Sequence, residues 1–183
     1  GIEFDNIDGS YSSEFTVYSA ERLFAPVDSN VTDARFYSPA DPTTPALVDS
    51  FGVIFTDVDL ANVTKIDFYD IDDKLVYTLN AEAAPGSESL TLAGVKFAEP
   101  CIYRVRITTG NIGLGVGISE SNSYGYDYDL VAMDDFIYGE PQPITSCGLP
   151  TVYEGTGSNP DEIRESINTY RCLLYTSDAA DED

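Results

Sequence analysis

The segment Phe51-Gly52-Val53-Ile54-Phe55-Thr56-Asp57-Val58 is almost continuously apolar. A run of this length fits a strand covered on both faces, whereas a half-solvated strand alternates polar and apolar residues. It opens a block, reaching to Glu140, that reads as one short strand after another. Val63 to Tyr69 places Ile66 and Phe68 on one face. Asp70-Ile71-Asp72-Asp73 supplies turn chemistry, and Lys74 to Leu79 returns with Leu75, Tyr77 and Leu79 aligned. After the break at Ala84-Pro85-Gly86-Ser87, Leu90-Thr91-Leu92 and Val95-Lys96-Phe97 read as two short strands. Cys101 to Thr108 sets Cys101, Tyr103, Val105 and Ile107 against Arg104 and Arg106, and Tyr126 to Tyr138 is the last long strand. Upstream, Glu14 to Tyr18 and Val31 to Tyr37 alternate in the same way. The expected fold is all-β: an antiparallel β-sandwich, jelly-roll-like.

Helical periodicity appears only late. In Asn159 to Arg171, Pro160 is followed by acids, and Ile163, Ile167 and Tyr170 recur at spacings of four and three, the pattern of an amphipathic helix. Pro141 to Ser158 is rich in Pro, Gly, Ser and Thr. The organisation expected is therefore a sandwich over 1–143, a linker over 144–160, and the start of a further module, a short helix, over 161–171.

Composition excludes several classes. With 43% hydrophobic residues, 13 Tyr and 9 Phe, the chain has the means to build a core. A net charge of −23 repels phosphate backbones and anionic membrane surfaces, so nucleic acid is an unsuitable partner. No stretch approaches the roughly 20 apolar residues of a membrane span, so membrane insertion is not expected. Histidine is absent, which removes Ser-His-Asp and Cys-His catalysis and histidine-ligated zinc. Tryptophan is absent as well, which removes the best sugar-stacking surface. Cys101 heads a strand and Cys147 lies in the linker; both a bridge between them and a simply buried Cys101 remain open.

Several segments together resemble a secreted bacterial β-sandwich domain of unknown function. They are Ala20-Glu21-Arg22-Leu23-Phe24, Ser29 to Asp33, Phe51 to Leu60, Phe68-Tyr69-Asp70, Tyr103 to Asn111 and Val131 to Pro141. The resemblance covers 1–141 and implies an exported, cell-surface or secreted setting, in large proteins that carry other domains. It also implies further strands upstream of Gly1, so the sandwich is expected to be truncated. Cys172 to Glu182 is similar to the translation of a transposase-type sequencing adapter. Residues 172–183 are therefore expected to be non-biological and are set aside. Without their four acids the net charge is −19, and Cys101 and Cys147 are the cysteines left.

Three groups of residues have chemical interest. Asp134-Asp135 on the closing strand is similar to acid pairs of jelly-roll adhesion and carbohydrate-binding modules, which meet an acid of the first strand around structural calcium. Glu3 and Asp5 are the acids this chain offers there, and oxygen donors suit a hard cation. The other reading makes one Asp solvated and the other a partner of a neighbouring loop. Asp57-Val58-Asp59 and Asp70-Ile71-Asp72-Asp73 project alternate acids but lack the twelve-residue EF-hand frame, and solvated turn acids are the expectation. In Tyr124-Gly125-Tyr126-Asp127-Tyr128-Asp129, the tyrosines and Asp127 are candidates for binding a sugar, although tyrosine on a half-exposed strand is ordinary. Gly110 to Gly117 lacks a phosphate-loop context and reads as close backbone packing or a bulge.

The favoured function is a non-catalytic extracellular module for adhesion or glycan binding, stabilised by calcium, with a surface glycan or other domains of the same protein as partners. The rivals are a carboxylate-based carbohydrate enzyme and a structural spacer. An enzyme requires a cleft with two acids about 5 Å or 6.5–9.5 Å apart. A binding module requires exposed tyrosines on a flat face.

Overall fold

The computed structural model describes residues 7–19, 22–120, 127–142 and 150–178, with the side chains of the last helix described as far as Arg171. Two four-stranded antiparallel sheets pack as a sandwich. The first has the order β1 (Val31–Arg35), β8 (Arg104–Thr108), β5 (Lys65–Tyr69), β6 (Leu75–Asn80). The second has the order β10 (Thr151–Gly157), β7 (Leu90–Lys96), β4 (Ser50–Thr56), β9 (Ala132–Tyr138). A two-stranded ribbon, β2 (Tyr37–Ser38) with β3 (Asp41–Pro45), lies between β1 and β4 in the chain. From β1 to β9 the chain changes sheet at each step except the β5–β6 hairpin and the small ribbon, which is the winding of a jelly roll. Phe24 forms an antiparallel bridge to Met133 on β9, in the place where a jelly roll sets its first strand beside its last.

Every residue of β4 is buried. Its inward side chains, Phe51, Val53 and Phe55, join Ile66, Phe68, Val105, Ile107 and Val95 in the core between the sheets. Its outward positions face α2 (Pro160–Asp178). There Ile54, Leu90 and Leu92 pack against Ile163, Ile167 and Tyr170. The Tyr170 ring lies on a floor of two glycines: a Cβ at Gly52 would fall 2.7 Å from the ring, and one at Gly94 3.0 Å. Its hydroxyl donates to the Val95 carbonyl at 3.0 Å, satisfying the one polar atom buried there.

This arrangement corrects the expected organisation. Residues 151–157, assigned to a linker, form β10 and pair with β7 along its full length. The helix expected to open a further module closes the outer face of the sandwich. A stretch of Thr, Gly and Tyr is weakly apolar because an edge strand needs only one good neighbour. Asn159 caps α2, accepting from the Asp161 and Glu162 N–H groups, while Glu162 accepts from the Ser158 N–H at 2.6 Å. Two further expectations change. Leu90 to Lys96 is one strand, and Glu14 to Tyr18 is no strand: α1 (Tyr11–Glu14) is a single helical turn followed by extended chain. Cys101, 1% exposed, is disulfide-bonded and so is not a free buried thiol; its partner sulfur lies outside the described residues.

Tyr170→Ala should cost about 3–5 kcal/mol, and Gly52→Ala about 1–3 kcal/mol by overpacking. Because both act through one contact, the double variant should lose clearly less than the sum in urea denaturation. Strict additivity would mean that the ring and the glycine floor are not coupled.

Candidate metal centre

Asp57 follows the last residue of β4 directly, and its backbone takes φ 68°, a left-handed conformation that Asp tolerates better than most residues. Its N–H donates to the Ser89 carbonyl at 3.0 Å. The turn drives the carboxylate inward: Asp57 is 0% exposed, and both of its oxygens are buried without a hydrogen-bond partner. Glu14, at the end of α1, and Glu120 meet it there, and one ligand oxygen from each of the three lies within 4.8 Å of the others. Glu14 is placed by its carbonyl, which accepts from the Glu88 N–H at 2.6 Å, and by the Ser87 hydroxyl, which donates to its carboxylate at 2.8 Å. Glu120 accepts from the Leu130 N–H at 2.8 Å.

Two more acids flank the three. Asp129, also fully buried, accepts from the Asp59 N–H at 3.1 Å and the Leu60 N–H at 3.2 Å. Asp59 accepts from the Gly86 N–H at 2.6 Å. The 127–130 segment is held in place at Gly110, φ 59°, where any Cβ would overlap the Asp129 carbonyl at 1.8 Å. That close approach is the role expected for the glycine-rich stretch.

Burial first, then the charges of Glu120, Asp59, Glu14 and Asp129, push the Asp57 carboxyl up to about 8. Burial likewise raises Glu120 to about 7, against the Leu130 N–H, which opposes it. Asp129 rises to about 6, also by burial, opposed by the N–H groups of Asp59 and Leu60. Each neighbouring charge acting on Asp57 is itself an acid. An unpaired buried carboxylate costs several kcal/mol. A proton removes the charge. A hard cation removes the charge and bonds the Asp57 oxygens. Carboxylate oxygens suit a hard cation, and an oxygen spread within 4.8 Å admits calcium–oxygen distances of about 2.3–2.6 Å.

The acid pair read from the sequence as the metal site has a different task. Asp134 accepts from the N–H groups of Tyr18, at 2.5 Å, and Ser19, at 3.1 Å, and from the Ser19 hydroxyl at 3.2 Å. Burial raises its carboxyl, opposed by those donors. Asp135 accepts from the Ser19 hydroxyl at 2.8 Å and pairs with Arg171 of α2 at 2.8 Å. The pair ties the N-terminal segment and the helix to β9: both acids are bonded within the fold, where the alternative reading has one of them solvated. Its expected co-ligands Glu3 and Asp5 lie outside the described residues, as do Tyr124 and Tyr126. Tyr128 is half-buried, Asp127 is exposed, and the Asp127 carbonyl accepts from Asn111 at 2.8 Å. No family model, curated protein or solved structure matches the chain.

Asp57 and Asp59 were expected to be solvated turn acids. For Asp57 that is overturned, and the available signal was its position: an acid directly on the end of a strand buried on both faces. Glu14 and Glu120 carried no signal, because the contact spans more than 100 residues of chain. The pH dependence follows from the raised carboxyls. A folded-state value near 8, against an ordinary 3.8, gives stability that is full below about pH 4 and lost as pH rises through 8. In chelator, wild type should therefore lose at least about 1.4 kcal/mol more than Asp57→Asn between pH 5 and pH 8, the worth of a tenfold change in proton affinity. Parallel urea midpoints for the two proteins would contradict it.

Proposed function

We propose that the chain is a non-catalytic β-sandwich module that binds one calcium ion through Glu14, Asp57 and Glu120, and that it works in an exported protein in adhesion or glycan contact. The cation rests on one observation: a fully buried carboxylate with two unbonded oxygens, surrounded by acids. The exported setting and the contact role rest on the acidity of the chain and on the resemblance of 1–141. No described helix is long and apolar enough to cross a membrane.

A carboxylate-based enzyme also requires an acid with a raised pKa. The acid most strongly raised here, Asp57, has no exposed surface through which a polymeric substrate reaches it. That weighs for a bound ion over a reacting sugar. A spacer role is compatible with the same ion, since a structural cation needs no further ligand.

Calcium at a hundredfold excess over its dissociation constant should stabilise the fold by about 2.7 kcal/mol, a rise in melting temperature of roughly 5–10 °C. Magnesium should do less, and chelator should reverse the shift. Asp57→Asn and Glu120→Gln should lose the response, whereas Asp134→Asn should lower the melting temperature and keep it. A calcium response that disappears in Asp134→Asn and survives in Asp57→Asn would move the site to β9.

A further inference from the structure

Of the three ligand carboxylates, two are fixed to the body of the sandwich. Asp57 continues the central strand β4, and Glu120 is held by the Leu130 N–H next to β9. Glu14 belongs to the N-terminal strap, residues 7–19, which lies over a small core of its own. Tyr11 and Phe15 are buried there with Leu114, Leu130 and Ala132. Hydrogen bonds to the surrounding loops and strands hold the strap besides that core, among them those of the Glu88 N–H and the Ser87 hydroxyl to Glu14. The Tyr11 hydroxyl donates to the Ile118 carbonyl at 2.8 Å, the Thr16 N–H donates to the Thr56 hydroxyl at 3.0 Å, and Tyr18 and Ser19 reach Asp134.

Resting on the calcium reading above, we infer that the ion is the latch of this strap: calcium docks residues 7–19 onto the sandwich, and its removal releases them. Glu14 brings an oxygen of the strap within 4.8 Å of ligand oxygens of Asp57 and Glu120, so a bound ion ties the strap to the body and its loss removes that tie. When that tie is lost, the peripheral element opens before the central one. β4 is central and buried on both faces, so Asp57 stays. The strap is one helical turn and extended chain, and opens with Glu14 at the cost of a small apolar core and of its hydrogen bonds to the sandwich. With calcium bound the same three acids attract the ion jointly, and strap docking and ion binding are linked equilibria. Undocking exposes Tyr11, Phe15, Leu114 and Leu130, so the calcium-free form presents an apolar surface beside β9 that the loaded form covers.

The test is hydrogen–deuterium exchange on the whole chain, preceded by calorimetric titration with calcium. Amides of the strap (Phe15, Thr16 and Tyr18) should exchange at least tenfold faster in chelator than in calcium, while β4 and β7 keep their protection. Glu14→Gln removes the strap's ligand, and its strap should exchange alike in calcium and in chelator. Calcium binding in the titration with equal strap exchange in both conditions would overturn the latch and leave the calcium reading intact. A Glu14→Gln strap that calcium still protects as it does in wild type would also overturn it. No calcium uptake in the titration would defeat the calcium reading itself, and the latch with it.

Discussion

β4 is buried on both faces, and the rest of the molecule is arranged by that burial. Its inner side chains fill the space between the sheets, and its outer positions, Gly52 and Ile54, receive the helix. A strand between two apolar layers must end where the chain can return to water. Here it ends instead in Asp57, a carboxylate turned back into the protein. The free energy of the two cores is what holds that carboxylate in a place water would never choose for it. The acidic centre is thus a cost of the sandwich, and a cation converts the cost into a bond.

The remaining charged groups show what an ordinary solution looks like in the same fold. Arg104, almost buried on β8, bonds Asp33 at 3.0 Å and Asp73 at 2.6 Å and lies 3.7 Å over the Tyr69 ring. Asp134 is as deeply placed as many core residues and is met by backbone and hydroxyl donors. Asp129 is met by two N–H groups. Against these, Asp57 stands out by having neither a base nor a donor at its oxygens. Burial of a charge is common to all four residues; the missing partner distinguishes the centre.

Local patterns carried most of the sandwich, because strand formation leaves a period-two or continuous apolar mark. The Val63–Leu79 hairpin emerges as β5 and β6, paired Lys65 to Asn80 through Tyr69 to Leu75. The apolar run at 51–58 emerges as the doubly covered β4. The amphipathic stripe of Ile163, Ile167 and Tyr170 is a helix, as its spacing predicts, but the spacing cannot say what the stripe packs on. β10 was illegible for a related reason: an edge strand rich in Thr and Gly takes its order from β7. The centre was hidden because its acids come from positions 14, 57 and 120 and meet only through the crossing of the chain. The acid pair that is conspicuous in sequence, Asp134-Asp135, is met by backbone and hydroxyl donors and by Arg171. Adjacent acids attract the eye, but a strand sends neighbours to opposite faces and so seldom makes a cation cage from them.

The most direct measurement is diffraction from crystals grown in calcium, with the anomalous signal of the ion recorded. The account predicts one strong peak within about 2.3–2.6 Å of carboxylate oxygens of Asp57, Glu14 and Glu120. A peak at Asp134 and Asp135, or well-ordered Asp57 oxygens with no peak beside them at saturating calcium, would contradict it.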